Sequence, residues 1–536
     1  MNTFLCGLII FLAMLETINK KKQGFHWKKE GFCALLVIMT AIIVFEYRSG
    51  ILGCGYHFVD DHEIFVLNAE FGKKGITQTL INSILSDLSI RFRPTYRLIR
   101  TLEAFICGTS LLAWHLFHML LMISTFFLTY VFARTMNCSI WSSLLFTLVS
   151  LVGQQSSVIW RLGPQEGIGL LLLMLTLLSL IRYSTKSTTG NLVLSIVATV
   201  LLGGIKESFL LLLPILPVFL IYLDLKNAKE GFHINAVTKA FVRRKAYVVA
   251  TFVVGLVDLS IILFYVGTCS IGYAGIDSSM GIKEYIVAML DICVGRLNWY
   301  CRITGLAVLL FIVPLTIYVF TQERYRFKDY LAILLFYSGV SLYGFGMQLV
   351  LYAKSGMFER YLLPTTFLFA FFVIIGLEQL VSTISINPLG YYAIAIILVT
   401  GIINYYDIQE YADAYVQEGI DNTAVLETVG ENADQGTKIL VSLDPELDYS
   451  TSIYLQEKFD IVHTYNMTFS ENEEGMASDA YKRSEEEREK SAIRCEEADI
   501  YVGYLNEIET FMTSIGLQMN DFRQYVFGKY VVYVMK

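Results

Sequence analysis

Long apolar runs separated by short polar breaks fill residues 32–405, and beyond residue 406 the pattern changes to short alternating segments. A run of roughly 17 to 25 apolar residues is long enough to cross a bilayer as a helix, the one open-chain conformation that satisfies its own backbone in lipid. Such runs lie near 32–50, 110–132, 138–158, 165–182, 190–205, 207–223, 246–268, 302–320, 331–352, 361–380 and 390–405 and predict eleven transmembrane helices. The opening stretch Phe4 to Leu15 is shorter and has no small-residue cleavage site, so it is a twelfth helix or an interfacial anchor rather than a signal peptide. In the remainder, Lys438 to Leu443 and Ile500 to Tyr504 read as short strands and Tyr525 to Met535 as a hairpin turning at Gly528. Ser484 to Arg494 reads as an exposed charged helix. The expected architecture is an α-helical polytopic membrane domain over 1–406, its first outer loop near 51–109, followed by a small soluble α/β domain over 407–536.

Composition agrees with this division. The chain is 55% hydrophobic and 17% charged with a mean hydropathy of +0.55, more apolar surface than a water-soluble core of this length buries. Residues 1–406 carry 31 Lys and Arg against 21 Asp and Glu, a balance of +10, whereas 407–536 carry 10 against 27, a balance of −17. The acidic tail is a separate unit, either a solubilising cap or a contributor to acceptor binding. Basic residues cluster at Lys20, Lys21, Lys22, Lys28 and Lys29, at Arg182 and Lys186, from Lys226 to Lys245, and at Arg324, Arg326 and Lys328. Alternation of the eleven spans puts all of these on one side, the cytoplasm by the positive-inside tendency. The Asp60-Asp61 loop, the 269–301 loop and everything after 406 are then expected outside.

Several ionised residues fall on that outer side, where a positive-inside bias does not place them. They are Arg161 and Glu166 in Trp160-Arg161-Leu162-Gly163-Pro164-Gln165-Glu166, Lys206 and Glu207 in a very short break, Lys354 with Glu359 and Arg360, and the loop arginines Arg91, Arg93, Arg97 and Arg100. A charge at mid-membrane costs on the order of 2.5 to 3.5 kcal/mol, so such groups either snorkel from helix ends or line a polar cavity. Phosphate is one anion that would gather them, since a guanidinium fork matches its oxygens. Asp60 and Asp61, before His62-Glu63-Ile64-Phe65-Val66-Leu67, either cap an interfacial helix or supply a general base, the second carboxylate orienting the acceptor or holding a divalent ion. His115 and His118 stand three apart, a spacing open to a metal or to ordinary interhelical hydrogen bonds. The nine cysteines include no CxxC pair; Cys269, Cys293 and Cys301 share one loop, where a disulfide is open. No P-loop, no GxGxxG after a strand and no repeat of 20 to 50 residues occurs, which disfavours soluble nucleotide chemistry, and nothing points to a nucleic-acid partner.

Arg91-Phe92-Arg93-Pro94-Thr95-Tyr96-Arg97, followed by Phe105 to Gly108 and Ala113-Trp114-His115-Leu116, resembles the segment after the first outer loop in GT-C membrane glycosyltransferases, most of all the transmembrane protein O-mannosyltransferases and their bacterial relatives. Asp60-Asp61 upstream, Arg161 to Glu166, Gly204-Ile205-Lys206-Glu207-Ser208 to Pro214, and Phe358-Glu359-Arg360-Tyr361-Leu362-Leu363-Pro364 follow in the order of that family, over about 60 to 364. His118 and Met122 stand where those relatives often have Asn and His, and the tail has no helical-repeat array. The resemblance implies inverting transfer of a sugar from a polyprenyl-phosphate donor to a hydroxyl of a lipid, glycan or protein acceptor at the outer interface. It implies Asp60 or Asp61 as base, and Arg161, Lys206, Arg360 and Arg93 at the donor phosphate. Glu166, Glu207, His62 and His115 would orient these groups or the acceptor. Other readings are a transporter or lipid flippase, which suits intramembrane ions but calls for broken helices and repeated halves, and a polysaccharide polymerase or ligase, which usually carries a large late outer loop.

Overall fold

A computed structural model of the chain describes residues 27–88, 91–228, 232–266, 280–293, 299–357, 359–384, 408–461, 464–466, 476–477 and 493–536. Among these, eight helices are long and apolar enough to cross a membrane: Lys29–Ser49, Leu111–Thr135, Glu166–Thr185, Glu207–Ala228, Ile234–Val266, Gly305–Gln322, Arg324–Tyr352 and Arg360–Ile384. The chain is therefore a multi-pass helical membrane protein. Two further predicted spans form shorter apolar helices, Ile140–Leu151 and Thr189–Gly203, because each ends early at a turn. The predicted span 390–405 and the opening stretch Phe4 to Leu15 lie outside the described residues, as does Cys269. Cys293 is a free thiol.

The described residues fall into two compact units, one from Met1–Phe45, Ile81–Arg100 and His118–Ile408, the other from Glu46–Leu80, Thr101–Phe117 and Gln409–Lys536. Parts of the first loop thus fold with the acidic tail, across the boundary that hydropathy alone draws at 406.

The first unit is held by a Leu- and Phe-rich core in which rings interlock. Phe132 lies within 6.1 Å of Phe146, Phe219 and Phe371, and Tyr222 stacks on Phe336 at 3.9 Å. Local signals start its helices: Ser139 and Thr188 cap Ile140–Leu151 and Thr189–Gly203 by accepting from Ser142 N and Asn191 N. Several charges inside this unit are paired. Arg134 donates through Nε to Glu30 Oε1 at 2.5 Å, which also accepts from the Tyr130 hydroxyl at 2.8 Å, and Arg244 donates through Nε to Asp224 Oδ1 at 2.9 Å. Each pair ties together segments 20 or more residues apart. Most of Ile234–Ile261 shows apolar side chains outward (Phe241, Val249, Phe252, Leu256), as a lipid-facing helix does.

The second unit holds a five-stranded sheet of order β2-β1-β5-β7-β6, where β1 is Ile439–Ser442, β2 Thr464–Asn466, β5 Ile500–Tyr504, β6 Phe522–Phe527 and β7 Tyr530–Met535. β2, β1 and β5 are parallel, and β7 and β6 add an antiparallel hairpin whose turn places Gly528 at φ +53. Both predicted strands and the hairpin are present. Of the predicted charged helix, residues 484–492 lie outside the described residues and its end is corrected: Ile493–Arg494 is a short strand (β4) paired with Met476–Ala477 (β3), with Ile493 buried in the cluster that holds Leu440 and Tyr501. The first-loop segment enters this unit through Tyr56, whose hydroxyl meets Ser450 Oγ at 2.7 Å while its amide donates to Thr423 Oγ1 at 2.7 Å.

Helix Ile408–Asn432 can lie against residues 54–57 because Gly419 has no side chain. A Cβ there would run into the Cys54 carbonyl oxygen and come within 2.6 Å of the His57 ring. Gly419→Ala is expected to destabilise this contact by about 1–3 kcal/mol. Hydrogen exchange of the amides at 54–58 should accelerate in the variant; unchanged protection would show that the segment is anchored elsewhere.

Candidate functional site: a buried ion pair where helices break

Gly203 and Gly204 end the helix Thr189–Gly203, and Ile205 and Lys206 follow before a one-turn helix, Glu207–Leu210. Glycine weakens the helix at this point, and Lys206 is fully extended at φ −168, ψ 153. Forty residues upstream Gly163-Pro164 interrupts the chain, and Glu166 becomes the first residue of the helix Glu166–Thr185, where a carboxylate is favoured by the exposed amides and dipole. The two breaks meet: Lys206 Nζ donates to Glu166 Oε1 at 2.5 Å, and each side chain is 1% exposed.

A third break completes the group. After the helix Phe327–Tyr352 the chain reverses, with Gly356 at φ +86, into the 3-10 turn Glu359–Leu362. Tyr361 of that turn stacks on Tyr352 at 4.7 Å, Lys206 Nζ lies 5.1 Å from the Tyr361 ring and the Arg360 guanidinium 5.4 Å from it. Arg360 acts electrostatically on Glu166 together with Lys206. Close approach depends on two glycines at the start of Glu166–Thr185. A Cβ on Gly167 would stand 2.8 Å from the Val158 carbonyl oxygen, and one on Gly169 would enter the Phe209 ring. Arg161 ends the turn Ser157–Trp160 half-buried, and Glu207 is half-buried at the start of its one-turn helix.

The Arg-Pro-Thr-Tyr-Arg stretch braces both breaks. Thr95 N donates to Gly204 O at 2.9 Å, the Tyr96 hydroxyl to Gly163 O at 3.3 Å, and Arg100 Nη1 to Leu162 O at 2.8 Å. Arg93 donates to Asp87 through Nε at 3.0 Å and Nη2 at 2.5 Å, and Arg97 Nη2 reaches the same carboxylate at 2.8 Å. Burial alone would lower the Arg93 pKa, but the Asp87 hydrogen bonds and charge outweigh it and raise it. Two of its donors therefore hold its own turn.

The remaining candidates belong to the second unit. Asp61 occupies the N-cap position of the helix His62–Lys74 without capping it; instead its Oδ2 accepts from His57 N at 2.8 Å, and the residue is 1% exposed. His57 in turn stacks on Tyr415 at 3.7 Å and bonds its carbonyl oxygen through Nε2 at 2.8 Å. Asp60 is half-buried with φ +74, a left-handed conformation unusual outside glycine. His62 packs edge-on against Tyr449 at 5.1 Å. His115 Nε2 lies 3.3 Å from Cys54 Sγ, and burial followed by the Asp61 charge pushes the Cys54 thiol well above its usual pKa, so it is no ready nucleophile. Among the described residues no group of three or more His, Cys, Asp or Glu is arranged around a common metal position.

Motif reading passed over Gln348 and Tyr352, and it quoted Ser208 and Tyr361 within motifs without giving either a role. Gln348, in the apolar run Phe345 to Tyr352, donates through Nε2 to Ser208 O at 3.0 Å with no exposed surface. An amide in a membrane-spanning run is the signal that marks it.

Removing one member of a buried pair leaves the other charge uncompensated, at a cost of about 3–5 kcal/mol. Lys206→Met is therefore expected to lower the thermal unfolding temperature in detergent more than the double variant Lys206→Met/Glu166→Gln does. Additive losses in the double-mutant cycle would argue that the two groups are not coupled. No protein-family model matches the chain, and no curated protein is significantly similar to it.

Proposed function

We propose that the protein is a membrane glycosyltransferase that moves a sugar from a polyprenyl-phosphate donor to an acceptor hydroxyl, with the acidic α/β region outside the cytoplasm. The observation that carries this reading is the buried Lys206–Glu166 pair with Arg360 and the Tyr352–Tyr361 stack, built from three helix breaks rather than from helix midpoints. Lys206 and Arg360 are cations fixed in a low-dielectric setting, which is how negative charge growing on a leaving phosphate is stabilised. Arg161 is the third cation of the proposed donor side. A donor anchored in the bilayer needs no nucleotide-binding domain, consistent with the absence of glycine-rich loops in the sequence.

In the proposed step the acceptor oxygen attacks the anomeric carbon and the bond from that carbon to the phosphate oxygen breaks. The bonding pair leaves on the phosphate, and the acceptor proton passes to an aspartate, with inversion at carbon. The aspartate base rests on the sequence resemblance: of its two candidates, both in the second unit, Asp60 retains exposed surface while the Asp61 carboxylate is buried and committed to the His57 amide. The strained backbone at Asp60 is of the kind that clusters at functional positions.

The test is consumption of polyprenyl-phosphate sugars, offered as a panel to purified protein. Asp60→Asn is expected to reduce transfer by about 10²–10⁴-fold, the usual range for loss of a general base. Arg360→Ala is expected to reduce it by about 10²–10³-fold, with donor use affected more than acceptor use. Full activity in Asp60→Asn, Asp61→Asn and the double variant would reject the base, and consumption of no donor by the wild-type protein would reject the reading.

A further inference from the structure

Three buried polar atoms, one within the Lys206–Glu166 pair and two on residues linked to it, have chemistry left over. Glu166 Oε2, Gln348 Oε1 and Ser208 Oγ have no hydrogen-bond partner among the described residues, although the first residue is 1% exposed and the other two have no exposed surface. They are connected through short links: Glu166 to Lys206, Lys206 to Ser208 two residues on, and the Ser208 carbonyl to Gln348 Nε2 at 3.0 Å. Gln348 and Tyr352 are four apart on one helix, so the amide and the aromatic stack face the same way. Gly344, one turn earlier on that face, is filled by Leu368, so the polar part of the stripe begins at Gln348.

Two acceptors and a hydroxyl left unsatisfied in an apolar domain are costly, roughly 1–3 kcal/mol each. Such a set is retained where a ligand completes it. The two sets of groups differ in what they recognise: Lys206 and Arg360 attract an anion, whereas the second carboxylate oxygen of Glu166, Gln348 Oε1 and Ser208 Oγ call for a molecule with several hydroxyls, which both donate and accept.

We infer that Gln348, Ser208 and the second oxygen of Glu166 form the hexose-recognition half of the donor site, and that Gln348 sets the preference for sugar-bearing over sugar-free lipid. This rests on the phosphate-sugar reading above, and the two are separable by experiment. Full-length protein in detergent is titrated with polyprenyl phosphate and with the same lipid carrying the hexose that the wild type prefers in a panel. Gln348→Met and Ser208→Ala are expected to bind the sugar-free lipid as the wild type does and to lose about tenfold in affinity for the sugar-bearing lipid. That loss is the size of one buried hydrogen bond.

Equal loss toward both lipids would assign Gln348 a purely structural role, holding the one-turn helix that carries Lys206, and would overturn the inference. So would full retention of sugar preference in both variants, the result expected if only water satisfies these atoms. Wild-type protein that binds neither lipid overturns the parent reading along with this one; wild-type protein that binds both, with variants unchanged, overturns this one alone.

Discussion

A charge taken into a stack of apolar helices is costly without a counter-charge, and four ion pairs of the first unit answer that cost. Lys206 finds Glu166, Arg134 finds Glu30, Arg244 finds Asp224, and Arg93 finds Asp87. The cost of an unpaired buried ion exceeds that of most packing defects, so each pair constrains which helix ends come together. Apolar packing is tolerant and ion pairing is not. The phenylalanine and leucine core can therefore fill the space between helices while the pairs fix their registration.

Where the Lys206 pair sits follows from the breaks. A lysine in mid-helix would point its amine along a continuous backbone; after Gly203-Gly204 the chain is extended and the amine turns toward the start of another helix. Gly163-Pro164 does the same for Glu166, and the turn after Tyr352 does it for Arg360 and Tyr361. Three interruptions of regular structure place two cations, a carboxylate and an aromatic stack in one neighbourhood. Preorganised charge of this kind needs no rearrangement when a ligand's own charge develops. The second unit obeys a different rule: its loop segment is held by hydrogen bonds from Tyr56 and His57 and by the space that Gly419 leaves open.

Much of the architecture was legible along the chain. Apolar runs locate the long helices because a bilayer demands an uninterrupted length, and a lapse in hydropathy at Gly203 to Lys206 or Gly163 to Gln165 is visible without coordinates. The strands at Ile439 and Ile500 and the hairpin at Gly528 were legible from alternation and turn chemistry. Misread stretches were those whose fate depends on distant partners. Ile493 looks like the end of a charged helix until its place in one core cluster with Tyr501 is seen; for Asp61 the chain left capping and base chemistry both open, and the fold puts its oxygen on the His57 amide.

The sequence by itself determined class, helix positions, the division of charge and the presence of ionised groups at helix breaks, since each depends on local composition and periodicity. Only the tertiary structure decided that Lys206 pairs with Glu166 across 40 residues, that Arg93 is engaged by Asp87, and that Gln348 joins the site from a helix 140 residues away. Pairing of this kind is a property of which surfaces pack. A buried polar atom selects its partner by distance and angle in the folded state, and no local pattern in the chain encodes that choice.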